Sequence, residues 1–351
     1  MKLISNTKYS YNGKEIRPYM DIGPDIVPCI SGITMKEFYT DYVKCAEAWK
    51  TATKFLKEYY GDLFPASIPD GAPLSYGHLV SIGAPITIPE DGEPNVSPFA
   101  SSIDEAIEIL RERKGKDFSD NPLFRHYMDM CKYFQEAFSE NRFYFRGFGA
   151  EGPITSVVLM RGQDFLYDIY DEPEKSKEFL YLITDSVIDY VKFCRRINGE
   201  PEISNYGGIC DDFSSLIPPD MWEEFVIPYW NQEYEGLSNG TYRYMHVENL
   251  TPKHLKHLIK SKLTHYQPSV SDALTIENIK ANLDPTIPFD WMLYSYRIIY
   301  MTEEEIEKWV DSTVESGVQT IRSQMNAYTY LEKKLNKSHE YFGAFEKYKH
   351  I

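Results

Sequence analysis

The sequence has no stretch approaching the about 18 uninterrupted apolar residues that a membrane-spanning helix needs. It also has no excess of positive charge. Its 53 acidic residues outnumber its 37 lysines and arginines, for a net charge of −16, which argues against nucleic acid or an anionic membrane surface as partner. Cysteine is sparse: Cys29, Cys45, Cys131, Cys194 and Cys210 are odd in number and form no CxxC pair. That usage fits a reducing cytoplasm, with most of the five expected as small buried hydrophobes. The opening MKLISNTKYSYNGKEIRPYM is polar and Tyr-rich without an apolar core, unlike a secretory signal. No GxGxxG follows a first strand and no GxxxxGK[ST] occurs, so nothing supports a nucleotide fold. Repeats, low-complexity tracts and long linkers are missing too.

What remains is a balanced chain of 351 residues, 42% hydrophobic and 26% charged, able to bury a large core. α/β barrels of this length often form one domain, and a single domain over residues 1–351 is expected. Aromatics reach 15%, with 28 tyrosines; most serve packing and surface, and some are candidates to line a pocket for a flat ligand. Turn residues concentrate in 64–97, whose apolar run LVSIGAPITI suggests a loop over a cavity rather than a tether.

Helical periodicity predicts a long helix over 34–60, opened by Thr34 with Glu37 as a capping box. Further helices are expected over 102–113, 121–139, 173–196, 219–237, 251–259, 302–316 and 327–335. Short β-like runs lie near 144–148, 203–206, 242–246, 263–267, 289–293 and 320–322. Strand and helix alternate, and no Asn-Gly hairpin is expected to join adjacent strands, so the strands should be parallel with helical crossovers. The expected architecture is α/β, a TIM (β/α)8 barrel with an N-terminal helical and loop extension. In such a barrel the residues just after each strand converge at one end and carry the chemistry.

Applied to this chain, that rule selects several groups. Asp211 and Asp212 follow a Gly-rich strand and could bind a cation, orient a substrate or act as general acid and base; equally, one of them could cap a turn or helix. Glu151 lies between glycines in a loop and is a third candidate catalytic carboxylate. His246 and Glu248, two apart at a strand end, could offer imidazole and carboxylate to one metal, commonly zinc. Gln324 and Asn326 follow the last strand-like run and suit hydrogen-bonding to a ligand. Tyr206, Tyr242 and Trp291 are candidates to shape a substrate pocket, or to serve as packing.

Four segments carry a family pattern. GAEGPITSVVLMRGQDFLYDIYDEPEKSKEFLYLITD, CDDFSSLIPPDMWEEFVIPYW, YMHVENLTPKHLKHL and YGHLVSIGAPITIPEDGEPNV together resemble the conserved blocks of the uroporphyrinogen decarboxylase-like superfamily. The resemblance implies a TIM barrel without fixing an activity. True uroporphyrinogen decarboxylases carry an N-terminal R-Q-A-G-R-Y stretch whose arginines hold the substrate propionates. Here that region reads Ile26-Val27-Pro28-Cys29-Ile30-Ser31-Gly32, with no arginine, and their C-terminal G-H-G is replaced by Ser323-Gln324-Met325. Uroporphyrinogen decarboxylation is therefore not expected.

The chain is more similar to the methylcobamide:coenzyme M and corrinoid-protein methyltransferases, which bind zinc through H-x-C and a later cysteine. His246 matches the first ligand, Glu248 stands in place of the cysteine, and the distal cysteine falls near Gln324 to Asn326, where there is none. A carboxylate in place of thiolate leaves a harder, more electrophilic metal, suited to polarising an ether or hydroxyl oxygen. The resemblance thus implies methyl transfer between a small O-methyl substrate and a corrinoid held by a partner protein, with Asp211, Asp212 or Glu151 completing the metal site. A metal-free lyase or decarboxylase on a small carboxylic acid, and a non-catalytic binding protein, are the alternatives.

Overall fold

The computed structural model describes residues 1–65, 69–145 and 148–349. Its strands are β1 (Lys2–Ile4), β2 (Tyr9–Tyr11), β3 (Lys14–Ile22), β4 (Ile86–Thr87), β5 (Asn95–Val96), β6 (Ser204–Cys210), β7 (Ser238–His246), β8 (His265–Gln267), β9 (Asp290–Leu293) and β10 (Thr320–Met325). The fold is mixed α/β, and the chain sorts into two compact units.

One unit comprises Met1–Ala72 and Phe289–Ile351. Its sheet runs β1-β3-β10-β9, with β2 also paired to β3. β3, β10 and β9 are parallel, while β1 and β2 are antiparallel to β3. The antiparallel pair β2–β3 corrects the expectation that no Asn-Gly hairpin joins neighbouring strands. Tyr11 pairs with Lys14 across Asn12-Gly13, whose φ angles of 49° and 75° are the left-handed pair that a tight two-residue turn demands. The expected helix over 34–60 is also corrected. Thr34 and Glu37 do form a capping box, but the helix Met35–Thr40 stops at Asp41, which is extended and caps a second helix, Tyr42–Tyr60. An aspartate whose side chain accepts from Val43 N and Lys44 N ends one helix by starting the next.

The other unit, Pro73–Pro288, holds the all-parallel sheet β6-β7-β8, as the alternation of strand and helix predicted. The helices Pro173–Ile197 and Ile227–Leu237 pack on one another, and the latter also packs on β6 and β7. The helix expected over 219–237 is broken into a 3₁₀ turn, Pro219–Met221, and the helices Trp222–Phe225 and Ile227–Leu237. Pro228 accounts for the second break, because it cannot donate to a continuing ladder. The turn-rich region contains the helix Gly77–Ser81 and the antiparallel ribbon β4–β5. Two expectations fall partly outside the described residues: the strand near 144–148, which includes 146–147, and the turn region, which includes 66–68.

The cysteines depart from expectation. Only Cys45 is buried; Cys29, Cys131 and Cys194 are half-buried and Cys210 is exposed. No described helix is long and apolar enough to cross a membrane.

Candidate functional site

Parallel register brings Cys210, His246 and Gln267 into one row across β6, β7 and β8. Paired residues of parallel strands project to the same face, so a functional row at these strand ends follows from the pairing alone. Beyond Cys210, Asp211 N donates to His246 O at 3.1 Å, which keeps the outgoing chain of β6 beside the end of β7.

Asp211 has no exposed surface. Its carboxylate accepts from Thr155 N at 2.7 Å, Ile154 N at 3.3 Å and Trp230 Nε1 at 2.6 Å. Ile154 and Thr155 lie in the first turn of the helix Pro153–Arg161, where backbone N–H groups lack intrahelical partners and the dipole favours an anion. Burial pushes the Asp211 carboxyl up, and these bonds pull against it. The junction is tight. Gly152 N donates to Cys210 O at 2.7 Å, and a Cβ on Gly152 would stand 2.5 Å from the Asp211 Cβ.

The next residue does different work. Asp212 Oδ1 accepts from Glu248 N at 2.9 Å and lies 3.4 Å from His246 Nε2. Glu248 Oε1 lies 3.8 Å from the same nitrogen. On the other side of the ring, His246 Nδ1 is hydrogen-bonded to Gln267 Oε1. A neutral imidazole has one N–H, and the nitrogen that carries it sets which of these neighbours the ring donates to. The three side chains are 20%, 34% and 30% exposed, so a small molecule or ion reaches them.

His246 Nε2 and Asp212 Oδ1 stand about as far apart as two donors about 2.1 Å from one tetrahedral metal, and Glu248 stands farther out. Among the described residues no group of three or more His, Cys, Asp or Glu is arranged to hold a metal ion. The surroundings are rich in carboxyls. Burial pushes Glu151 up to about 8, helped by Asp212 and Asp211 and opposed by a hydrogen bond with Ser75. Burial likewise pushes Asp212 up to about 6, against its bond from Glu248 N. Glu233, fully enclosed on the helix Ile227–Leu237, is raised by burial, Asp211 and Glu151, and its Oε2 has no hydrogen-bond partner among the described residues. The charges acting on these three carboxyls are all carboxylates.

The other sequence candidates stand elsewhere. Tyr206 and Tyr242 stack on each other, with centroids 5.4 Å apart, and pair in register. They precede Cys210 and His246 by four residues on the same strand face, and the Tyr206 phenol reaches back over Gly208 toward Cys210. Trp291, Gln324 and Asn326 belong to the unit containing the termini. There Trp291 pairs with Ile321 and Gln324 with Asp21. Asn326 caps the helix Ala327–Leu331, accepting from Thr329 N at 3.1 Å, and its Nδ2 donates to Ser295 Oγ at 3.3 Å. Gln267 and Glu233 are the residues that sequence reasoning missed. Gln267 ends β8, where the strand-end rule would have found it; Glu233 carried the signal of an acid on a helix face otherwise buried through Trp230, Tyr234 and Leu237.

The fold matches that of a methyltransferase from Methanosarcina mazei, with TM-score 0.66 at 13% identity over 93% of this chain and 92% of that one. A candidate vitamin B12-independent methionine synthase from Listeria monocytogenes aligns over 91% of this chain and 96% of its own, at 13% identity and TM-score 0.48, too low to carry an argument. No curated protein matches by sequence. The family model for uroporphyrinogen decarboxylase (URO-D) matches residues 75–320, a span that includes every residue of the His246 site. On that match, the chain belongs to the uroporphyrinogen decarboxylase family.

Proposed function

We propose that this protein moves a methyl group between a small O-methyl substrate and a corrinoid carried by a partner protein, on a single (β/α)8 barrel. The family membership and the shared fold with a methyltransferase support the reading. So does the arginine-free segment at residues 26–32, which offers a uroporphyrinogen no counter-charges. The observation that carries it is the convergence of His246 with two carboxylates, its Nε2 lying 3.4 Å from Asp212 Oδ1 and 3.8 Å from Glu248 Oε1.

Zinc held by His246 and Glu248, with Asp212 as third donor, would supply a Lewis acid for the substrate oxygen. The chain's own groups do the rest. Asp211 locks the end of β6 to the helix Pro153–Arg161, and thereby fixes Asp212, its neighbour, against β7. Glu151, whose carboxyl burial keeps protonated at neutral pH, would supply the proton to the departing oxygen. In a transfer assay with reduced free cobalamin and a panel of small methyl ethers, wild type should methylate cobalt and H246A should not. Equal rates in the two would overturn the proposal.

A metal-free lyase acting on a small carboxylic acid is the second reading. It is favoured by Glu151, a carboxyl that burial keeps protonated at neutral pH and so able to donate. It expects turnover to survive exhaustive chelation.

A further inference from the structure

We infer that Tyr206 and Tyr242, with Gly208 beside them, are a platform on which an uncharged aromatic ring of the substrate stacks, next to the row that holds His246. The inference names the substrate class of the site proposed above, an aromatic methyl ether, and rests on that reading.

The sheet β6-β7-β8 is all parallel, and such sheets are normally covered on both faces. One face here is covered. Tyr234, 1% exposed, lies against Gly207, where a Cβ would stand 2.7 Å from its ring, and its hydroxyl donates to Tyr244 O at 2.7 Å. The opposite face is open. Tyr206 on it is 48% exposed and Tyr242 is 42% exposed. Their rings stack with centroids 5.4 Å apart and planes 20° apart. A stacked pair left open on such a sheet is a surface for a further ring.

Position 208 shares that face and has no side chain. A Cβ there would stand 2.8 Å from the Tyr206 hydroxyl, so glycine is what lets the phenol lie along the strand toward Cys210. Cys210 is the register partner of His246. Gly208 and Cys210 are two residues apart, about 7 Å, the span of a ring with its methoxy group. A ring seated against Tyr206 therefore brings its substituent to the His246 row. Charge decides against an anionic ring. The charges acting on the Cys210 thiol are the carboxyls of Glu151, Asp212, Glu233 and Asp211. A zinc ion on His246 would be balanced by Asp212 and Glu248 themselves, so a carboxylate on the ring gains no net counter-charge. An aliphatic ether would leave the two phenols uncovered.

Isothermal titration calorimetry on the full chain at neutral pH tests this with three probes. These are 4-methoxyphenol, 4-methoxybenzoate, which carries a charge on the same ring, and 2-methoxyethanol, an ether without a ring. Wild type should bind 4-methoxyphenol at least about tenfold tighter than either of the others. Y206L should lose about tenfold in that affinity, the scale of a lost aromatic pair, and Y206F, which keeps the ring, should retain it. Wild type that binds 4-methoxyphenol no tighter than the other two, or not at all, overturns the inference whether or not Y206L folds. Unchanged affinity in a Y206L that circular dichroism shows to be folded overturns it too. If 4-methoxyphenol binds through Tyr206 but no methyl reaches reduced cobalamin, the transfer reading fails and the platform stands. If cobalt is methylated from 2-methoxyethanol while 4-methoxyphenol does not bind, the platform fails and the transfer reading stands.

Discussion

Three donors meet the carboxylate of Asp211, and the residue has no contact with solvent. Its neighbour Asp212 keeps one oxygen near Nε2 of His246. Adjacent carboxylates thus divide the work: one ties helix to strand, the other faces the site. Removing the first should be felt in stability. D211A would orphan Thr155 N, Ile154 N and Trp230 Nε1, and each unsatisfied buried donor costs about 1–3 kcal/mol. We expect a loss of about 3 kcal/mol or more in urea unfolding, whereas D212A should stay within about 1 kcal/mol of wild type. Glu151 offers a pH test. Its carboxyl is raised from 4.5 to about 8 in the fold, so its contribution to stability is fully present below about 4.5 and is lost as pH rises through about 8. E151Q cannot ionise. It should therefore leave the melting temperature of the metal-free chain nearly unchanged at about pH 5, and raise it at about pH 9 by the equivalent of a few kcal/mol. A gain that grows toward low pH would contradict the assignment.

At the scale of elements, the site depends on how closely a helix start approaches a strand end. Gly152 sits at that approach. G152A places a methyl 2.5 Å from the Asp211 Cβ and 2.9 Å from Cys210 O, so something must shift. We expect about 1–3 kcal/mol of destabilisation, with Trp230 fluorescence reporting the disturbed bond to Asp211. Much at this scale was legible in the sequence. Strand positions β6 to β10 followed from β-like runs between amphipathic helices, and Thr302 and Ser102 announced helix starts that the structure keeps. The misses have physical causes. The strands β1 to β3 were overlooked because their residues read as a polar, Tyr-rich stretch, although Asn12-Gly13 was the turn signal to look for. A periodicity that runs through Asp41 does not reveal that its side chain prefers to cap the following turn. Tyr206 and Tyr242 were matched to the site by residue type; their register pairing and stacking carry no signal in the sequence. Gln267 was missed because an amide on a short strand carries no signal until its register partner is known.

For the whole molecule, the family model for uroporphyrinogen decarboxylase and the fold shared with a Methanosarcina mazei protein give the scaffold, and the chemistry is left to the site. The site is lined by carboxyls, and the function proposed above sets a zinc ion among them. Chelation should therefore abolish methyl transfer and leave the fold intact by circular dichroism, with zinc restoring activity. The most direct test is the metal content of the chain purified at neutral pH without chelator, determined by mass spectrometry for wild type, H246A and E248A. Stoichiometric zinc in wild type and its loss in H246A is the expected result; wild type free of metal, and unable to take up added zinc, would contradict the account.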